Sequence, residues 1–259
     1  MNNLLKLHHL VIAFKDHFSR QAGDYAEFRP GYPRSLFAFI AEQAPNDKLA
    51  VDVATGNGQA AVGLAEFFQQ VIALDASAAQ VASARPNDRV EYCVGSAEAT
   101  GLPTHCGDAL TVAQAVHWLD LGAFYAEARR VLRPRGLLAF WAYNDLRVTP
   151  AVEALIRRYH DEVVGPYWPP ERKIVGRGYL ELPFPFEEIA HPDFAIETDW
   201  TLGHLLGYLR SWSATQRYLS ANQSDPISLI ASDLAQAWGD PGGKRRLTWP
   251  LTLRIGRAY

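Results

Sequence analysis

An α/β fold built on a mostly parallel sheet is what this 259-residue sequence predicts, and two observations predict it. Short apolar runs alternate with segments of helical period, and strand–helix–strand repetition of that kind makes parallel strands joined by right-handed crossovers. A glycine-rich turn, Gly56-Asn57-Gly58, follows the first such run and opens a helix. Glycines there let the backbone turn tightly and let a ligand approach without a Cβ in the way.

Each element has its own signal. Arg34 to Gln43 carries Leu36, Phe37, Phe39 and Ile40 as an apolar stripe at helical spacing. Leu49 to Ala54 reads as a short buried strand running into Thr55-Gly-Asn-Gly58, and Gln59 to Phe68 resumes a helical rhythm through Ala61, Leu64 and Phe67. A second strand, Val71 to Leu74, ends at Asp75, and an alanine-rich helix spans Ala78 to Ala84. Further strands are predicted at Val90 to Val94 and Ala109 to Ala113. Asp120 is placed as the N-cap of a helix through Phe124, Ala128 and Leu132, closed by Pro134 and Gly136, with Leu137 to Trp141 as the fifth strand. After Tyr143 the rhythm changes to a helix at Pro150 to His160 and an aromatic, proline-rich loop at Pro166 to Pro170. Phe194 to Leu202 and Leu247 to Ile255 are expected as antiparallel strands, with helices near Leu205 to Trp212 and Ile227 to Trp238 between them.

The bulk numbers exclude several classes. Hydrophobic residues at 48% and charged residues at 20% make an ordinary globular balance. A net charge of −3 argues against a general nucleic-acid binder. Cys93 and Cys106 have neither disulfide-scaffold nor zinc-ligand spacing. His8, His9 and His17 lack helical pairing with carboxylates, so no metal site is expected. The apolar run Leu10 to Phe14 is too short for a signal-peptide core and no stretch reaches membrane-helix length, so a cytoplasmic protein is expected by elimination.

Ligands of such sheets bind at the C-terminal ends of the strands, where strand order reverses. The Gly56 turn sits there, and Gly56 to Ala61 also fits the dinucleotide pattern G-x-G-x-x-A, so NAD enters as an alternative. Asp75, one strand on, suits a ribose, because an ionised carboxylate accepts hydrogen bonds from both ribose hydroxyls.

Further motifs separate the two cofactors. Val51-Asp-Val-Ala-Thr-Gly-Asn-Gly58, Gly95-Ser-Ala-Glu98 with Leu102-Pro103, and Arg130-Val-Leu-Arg-Pro-Arg-Gly136 fall in that order along the chain. Together they resemble the class I S-adenosylmethionine-dependent methyltransferases. The resemblance implies a Rossmann-like seven-stranded, mostly parallel sheet with helices on both faces and a small helical, aromatic cap. It implies one domain, with a cofactor-binding core at 34–143, an N-terminal lid at 14–33, and cap insertions with the final antiparallel strands at 144–259. The cofactor residues it implies are Asp52, Ala54, Thr55, Gly56, Asn57 and Gly58 in the turn, with Asp75 and Ala76 after the second strand. Ser96, Ala97 and Glu98 are implied at the adenine, and Gln114 and Ala115 after the fourth strand.

Two positions depart from the family pattern. Ala54 stands where a glycine is common, which is tolerable if its φ is negative. Ser96 replaces a common aspartate, and its hydroxyl can still accept from an adenine amino group, with Glu98 sharing the task. A short-chain dehydrogenase wants tyrosine and lysine four apart near the fifth strand, but Tyr143 is followed by Arg147.

A narrower likeness lies outside the core. Tyr25-Ala-Glu-Phe-Arg-Pro-Gly-Tyr-Pro33, Gln114-Ala-Val-His-Trp118, Tyr167-Trp-Pro-Pro-Glu-Arg172 and Ser211-Trp-Ser-Ala-Thr215 resemble the branch that includes trans-aconitate methyltransferases. Tyr25 and Arg29 are then expected in the lid, with the guanidinium on the methionine carboxylate or an anionic acceptor. His117 is the candidate catalytic residue, as a base or an aligning group, against the plainer reading of a histidine at the cofactor's rim. Trp118, Trp141, Tyr143, Trp168 and Trp212 are candidates for a small-molecule acceptor pocket, against ordinary core packing. A sensor that binds S-adenosylmethionine without transferring methyl groups remains open as a non-enzymatic alternative.

Overall fold

Residues 28–259 are described by a computed structural model. Tyr25 and most of the expected lid lie outside the described residues. Helix α1 (Arg34–Gln43) leads into β1 (Leu49–Val53), α2 (Gln59–Leu64), β2 (Gln70–Asp75), α3 (Ala78–Ala82), β3 (Val90–Val94) and β4 (Gly107–Ala113). A 3₁₀ turn (Val116–Trp118) and α4 (Leu121–Val131) precede β5 (Leu132–Tyr143). The cap comprises α5 (Pro150–Arg158), which runs on as a π turn through Val163, then α6 (Arg172–Gly176), β6 (Glu187–Glu188), β7 (Phe194–Trp200), α7 (Leu202–Arg210), α8 (Ser213–Asn222) and α9 (Ala231–Trp238). The closing strand is β8 (Arg245–Arg257).

One sheet holds every strand, in the order β3-β2-β1-β4-β5-β8-β6, with β7 also paired to β8. The first five are parallel, β8 is antiparallel to β5, and β6 and β7 are antiparallel to β8. Strand order therefore reverses between β1 and β4, which places a crevice above their C-terminal ends. The Rossmann-like α/β architecture is the one expected, with one strand more than seven. The extra strand is the two-residue β6, whose Glu187 and Glu188 are exposed on an edge. Charge is how sheet edges are kept from pairing further, so such a strand leaves no apolar pattern to read.

Side-chain parity along the strands builds two cores. On one face Ala50, Ala73, Ala109 and Ala139 leave room for Leu36, Phe37, Ile40, Leu64 and Phe68 from the helical side. On the other, Val51, Val53, Leu110, Val112 and Phe140 meet Phe124, Ala128 and Val131 of α4. A third cluster holds the cap together around Tyr159, Trp200, Leu205, Trp238 and Trp249. Strand β8 joins the systems: Leu251 to Arg257 pair with β5, while Arg245 to Leu251 extend past the sheet and pair with β7.

Asp120 caps α4 as expected, its carboxylate accepting the amides of Gly122 at 3.0 Å and Ala123 at 3.2 Å. Leu132 does not belong to that helix. It leaves helical geometry (φ −67°, ψ 138°) and pairs with Gly107, so β5 starts five residues earlier than expected. Strand β4 likewise begins at Gly107 rather than Ala109, and the reason is Asp108. This fully buried carboxylate accepts from the amides of Lys48 (3.1 Å) and Leu49 (2.9 Å), and from Arg133 (2.8 Å). A charge inside a strand breaks the apolar signal, yet it ties the starts of β1, β4 and β5. Helix α8 was not expected, because among its residues only Ala214 and Thr215 are buried and no apolar stripe marks it.

Removing the Asp108 carboxylate leaves the amides of Lys48 and Leu49, the Asn46 side chain and the Arg133 guanidinium without their acceptor at the base of the sheet. Asp108→Ala is expected to cost about 3 kcal/mol or more, read as a lower denaturation midpoint with an unchanged m-value.

Candidate active site

The crevice begins at the end of β1. Ala54, Gly56 and Gly58 have φ of 51°, 58° and 84°, so every second residue of the turn lies in the left-handed region. The expectation of a negative φ at Ala54 is therefore corrected. The turn needs the left-handed conformation there, and alanine accepts it at a cost of about 1 kcal/mol because its Cβ is the smallest available. Gly58 has no such latitude, since a Cβ would overlap the hydroxyl of Tyr92.

Two carboxylates hold this turn in different ways. Asp75 accepts the Gly56 amide at 2.8 Å and the Ser77 amide at 2.9 Å, which brings the turn and the end of β2 to one place. Asp52 is fully buried beneath them and accepts the hydroxyls of Thr55 (2.5 Å) and Thr111 (2.6 Å). Burial raises its carboxyl to about 6, against the opposing pull of those two hydroxyls. Asp52 thus supports the turn from below, and no part of it faces the crevice.

Beyond β3, the Ser96 hydroxyl donates to Glu98, and Glu98 also accepts the Asp120 amide at 3.1 Å. Ser96 keeps lone-pair capacity, Ala97 is buried and Ala76 is exposed. Asn57 Nδ2, Gln59 Nε2 and Gln114 Nε2 are buried donors with no hydrogen-bond partner among the described residues. Burying unpaired amide donors is costly. Three around one crevice, beside glycines whose missing Cβ atoms keep it open, fit a ligand rich in acceptors.

The crevice continues into a cleft above β4 and β5, with about 650 Å³ of empty space including its open mouth. Arg29, Gln114, His117, Trp118, Tyr143, Trp168, Arg172, Tyr208 and Trp212 line it. Four of the five aromatic candidates come together here. Trp141 does not: it is fully buried, edge-on to Tyr32 at 5.5 Å and Phe37 at 6.2 Å. Its expected acceptor contact is corrected, because α1 covers that length of β5 and only Tyr143, two residues on, reaches the open end.

Arg29 spans the cleft wall, donating to the Ser211 carbonyl at 3.1 Å and lying 5.4 Å from the centre of the Tyr208 ring. Arg172 lies 5.0 Å from the centre of the Trp168 ring and donates to Asn144. Its electrostatic neighbours are Tyr208, Tyr179, Arg29 and Tyr143, with no carboxylate among them, and burial lowers its pKa. His117 packs 4.7 Å from Trp118, and its Nδ1 lies 2.8 Å from the Tyr179 hydroxyl. Burial first, and then the charge of Arg172, depresses its pKa to about 3, so the imidazole is neutral at physiological pH. Arg172, Tyr208 and Tyr179 were not singled out in the sequence. Arg172 lay within the Tyr167–Arg172 motif, which was its only available signal.

A model of the methyltransferase domain family matches residues 51–140. A methyltransferase-family protein of Dictyostelium discoideum is 32% identical over 238 residues, covering 90% of each chain. The S-adenosylmethionine-dependent methyltransferase-family protein CRG1 of Saccharomyces cerevisiae is 27% identical over 144 residues, 52% of this chain and 50% of that one. The solved structure of a type II methyltransferase-family protein of Anaeromyxobacter dehalogenans is 45% identical, with a TM-score of 0.84, and covers 89% of this chain and 98% of its own. The chain belongs to the class I S-adenosylmethionine-dependent methyltransferases.

Two measurements test this geometry. Gly58→Ala is expected to lose about 2 kcal/mol or more, from left-handed strain plus overlap with Tyr92, whereas Ala54→Gly keeps or raises the melting temperature. The raised pKa of Asp52 means that the folded state binds its proton more tightly than the unfolded chain does. Its contribution is therefore fully present below the ordinary value of 3.8 and lost as pH rises through about 6. Stability of the wild type relative to Asp52→Asn should fall over that window in denaturation at several pH values.

Proposed function

We propose that the chain transfers a methyl group from S-adenosylmethionine to a small-molecule acceptor held between the C-terminal ends of β4 and β5 and the cap. The observation that carries this reading is one continuous edge: Asp75, the Gly56 turn, Gln114 and Tyr143 end four neighbouring strands in that order. Three interstrand spacings of about 4.8 Å separate its two ends, with an aromatic cleft at the far one.

In this reading Asp75 and Ala76 take the ribose, and Ser96, Ala97 and Glu98 take the adenine. The Thr55–Gly58 turn, Gln114 and Ala115 hold the middle, while Arg29 covers the methionine end. When bound, S-adenosylmethionine supplies an activated methyl group, and transfer to a lone pair needs mainly alignment and exclusion of water. Trp118, Trp168 and Trp212 shield the acceptor from water, and Arg172 and His117 orient it. A histidine whose pKa lies near 3 is a poor base, so His117 acts as an aligning group. The acceptor then presents a lone pair that needs no proton removed. A guanidinium with no carboxylate neighbour favours a negatively charged group on that acceptor, so an organic acid fits best. The narrower likeness to the trans-aconitate methyltransferase branch is part of this proposal.

Readings without transfer make different demands. A pure sensor has no use for an aromatic cleft beside the cofactor crevice, and a short-chain NAD oxidoreductase would need a tyrosine–lysine pair where this chain has Tyr143 and Arg147.

Calorimetry should show S-adenosylmethionine and S-adenosylhomocysteine binding, with NAD silent, and Asp75→Ala weakening binding at least ten-fold. In methyl-transfer assays acids should turn over and their amides should not, and Arg172→Gln should raise KM for an acid ten-fold or more with a smaller change in kcat. Tight cofactor binding with no transfer to any acid, amine or phenol would leave the sensor reading standing. The pH–rate profile should lack a limb between pH 6 and 8, since His117 stays neutral across that range.

A further inference from the structure

The strained backbone of the cap leads to a residue with no assigned role. Gly178 and Tyr179 follow α6 with φ of 64° and 61°, two consecutive left-handed residues, and the second is a tyrosine. Holding a bulky side chain in that region is strained and persists only where the surroundings over-determine it. Here they do. A Cβ on Gly178 would lie 2.8 Å from the Thr252 hydroxyl, so the turn is pressed against β8. Arg254 of β8 donates to the Tyr179 carbonyl at 3.1 Å, and the Tyr179 ring packs edge-on to Phe140 of β5 at 5.7 Å. What this arrangement delivers is a phenol hydroxyl, 1% exposed as a residue, set 2.8 Å from Nδ1 of His117.

The direction of that hydrogen bond follows from counting acceptors. Among the described residues the Tyr179 hydroxyl has His117 Nδ1 as its one hydrogen-bond partner. Were Nδ1 protonated and donating, the phenol hydrogen would be buried with nowhere to go, which is costly. With the phenol donating, Nδ1 is the acceptor and the ring proton sits on Nε2. Nε2 has no protein partner among the described residues, and His117 lines the cleft while Tyr179 does not.

We infer that Tyr179 is a positioning residue that locks His117 in the Nε2–H form, so that the imidazole presents a hydrogen-bond donor, and no lone pair, to the acceptor. This rests on the proposed transfer site and deepens it. With His117 and Arg172 both donating into the cleft, the wall is built to grip the oxygens of an acceptor, and the described residues lining it offer no carboxylate or free imidazole lone pair to take a proton away. The charged group facing the imidazole is Arg172 of α6, which disfavours an imidazolium in the same sense. Tyr179 acts only through His117, since it contributes no surface to the cleft.

The test reads the ring directly. Long-range ¹H–¹⁵N spectra of the wild-type protein, without acceptor or cofactor, should place His117 as the neutral Nε2–H tautomer from pH 5 to 8. A predominant Nδ1–H tautomer, or an imidazolium at pH 6, overturns the inference. In Tyr179→Phe the Nδ1–H population should rise and the ring should titrate at higher pH than in the wild type. Unchanged tautomer populations in a folded Tyr179→Phe overturn it too. Should that variant not fold, the wild-type spectrum still decides. For an acid acceptor, Tyr179→Phe should lower kcat/KM about ten-fold in the wild-type background and under two-fold in His117→Asn. Equal losses in both backgrounds would mark a merely structural role and overturn the positioning role. Because the spectra need no turnover, a failure of the methyl-transfer reading leaves the tautomer result intact and distinguishable.

Discussion

Between the ends of β1 and β2 the Asp75 carboxylate accepts two backbone amides, Gly56 at 2.8 Å and Ser77 at 2.9 Å. Those bonds tie a turn made of left-handed residues to the end of the neighbouring strand, and the rest of the crevice is arranged around the tie. Ordinary side chains would strain the turn at Gly56 and would also overlap Tyr92 at Gly58, and Asp52 supports it from beneath. Asp52 is kept there despite a burial cost large enough to raise its pKa to about 6. A charged or near-charged group in the core is seldom worth its desolvation for stability alone, and two hydroxyl donors offset only part of it. The fold accepts that cost, together with the strain at Ala54, at the place where a cofactor is proposed to lie.

Strand β8 is the second constraint. Half of it completes the sheet against β5 and half carries β7 and the cap beyond the sheet. The cap residues that line the cleft are thereby referenced to the strand ends that carry Gln114, His117 and Tyr143. Thr252 and Arg254 extend the same control to the Gly178–Tyr179 turn. The cleft is thus positioned by the last strand of the chain, and the glycine-turn crevice by the first two.

Electrostatics divides the site in the same way. The cofactor crevice offers carboxylates, backbone groups and orphan amide donors. The cleft offers guanidinium groups, a neutral imidazole and aromatic faces. Burial, and then the neighbouring charge of Arg172, keep the His117 imidazole uncharged, and stacking on Trp168 partly offsets the burial of the guanidinium. A cleft of donors and rings suits the proposed acceptor, one with oxygens and an apolar body.

The sequence by itself determined the order of the parallel strands β1 to β5 and the helices between them, the glycine turn, the placement of Asp75 at the end of β2 and the cap on α4. Each of these is a local matter, decided by apolar period, turn chemistry or a side chain bonding the backbone two or three residues away. It misjudged Ala54, because a glycine-free position gives no sign that the chain requires φ above zero, and it missed the start of β4, because Asp108 interrupts the apolar run. Trp141 and Tyr143 share a face by strand parity, yet one is sealed under α1 and the other opens to the cleft. Periodicity reports a face and is silent on how far the covering helix extends. Only the tertiary structure brought together His117, Arg172 and Tyr179, separated by 55 and 7 residues along the chain. Their meeting depends on the path of β8 and on a left-handed tyrosine that contacts with β5 and β8 hold in place.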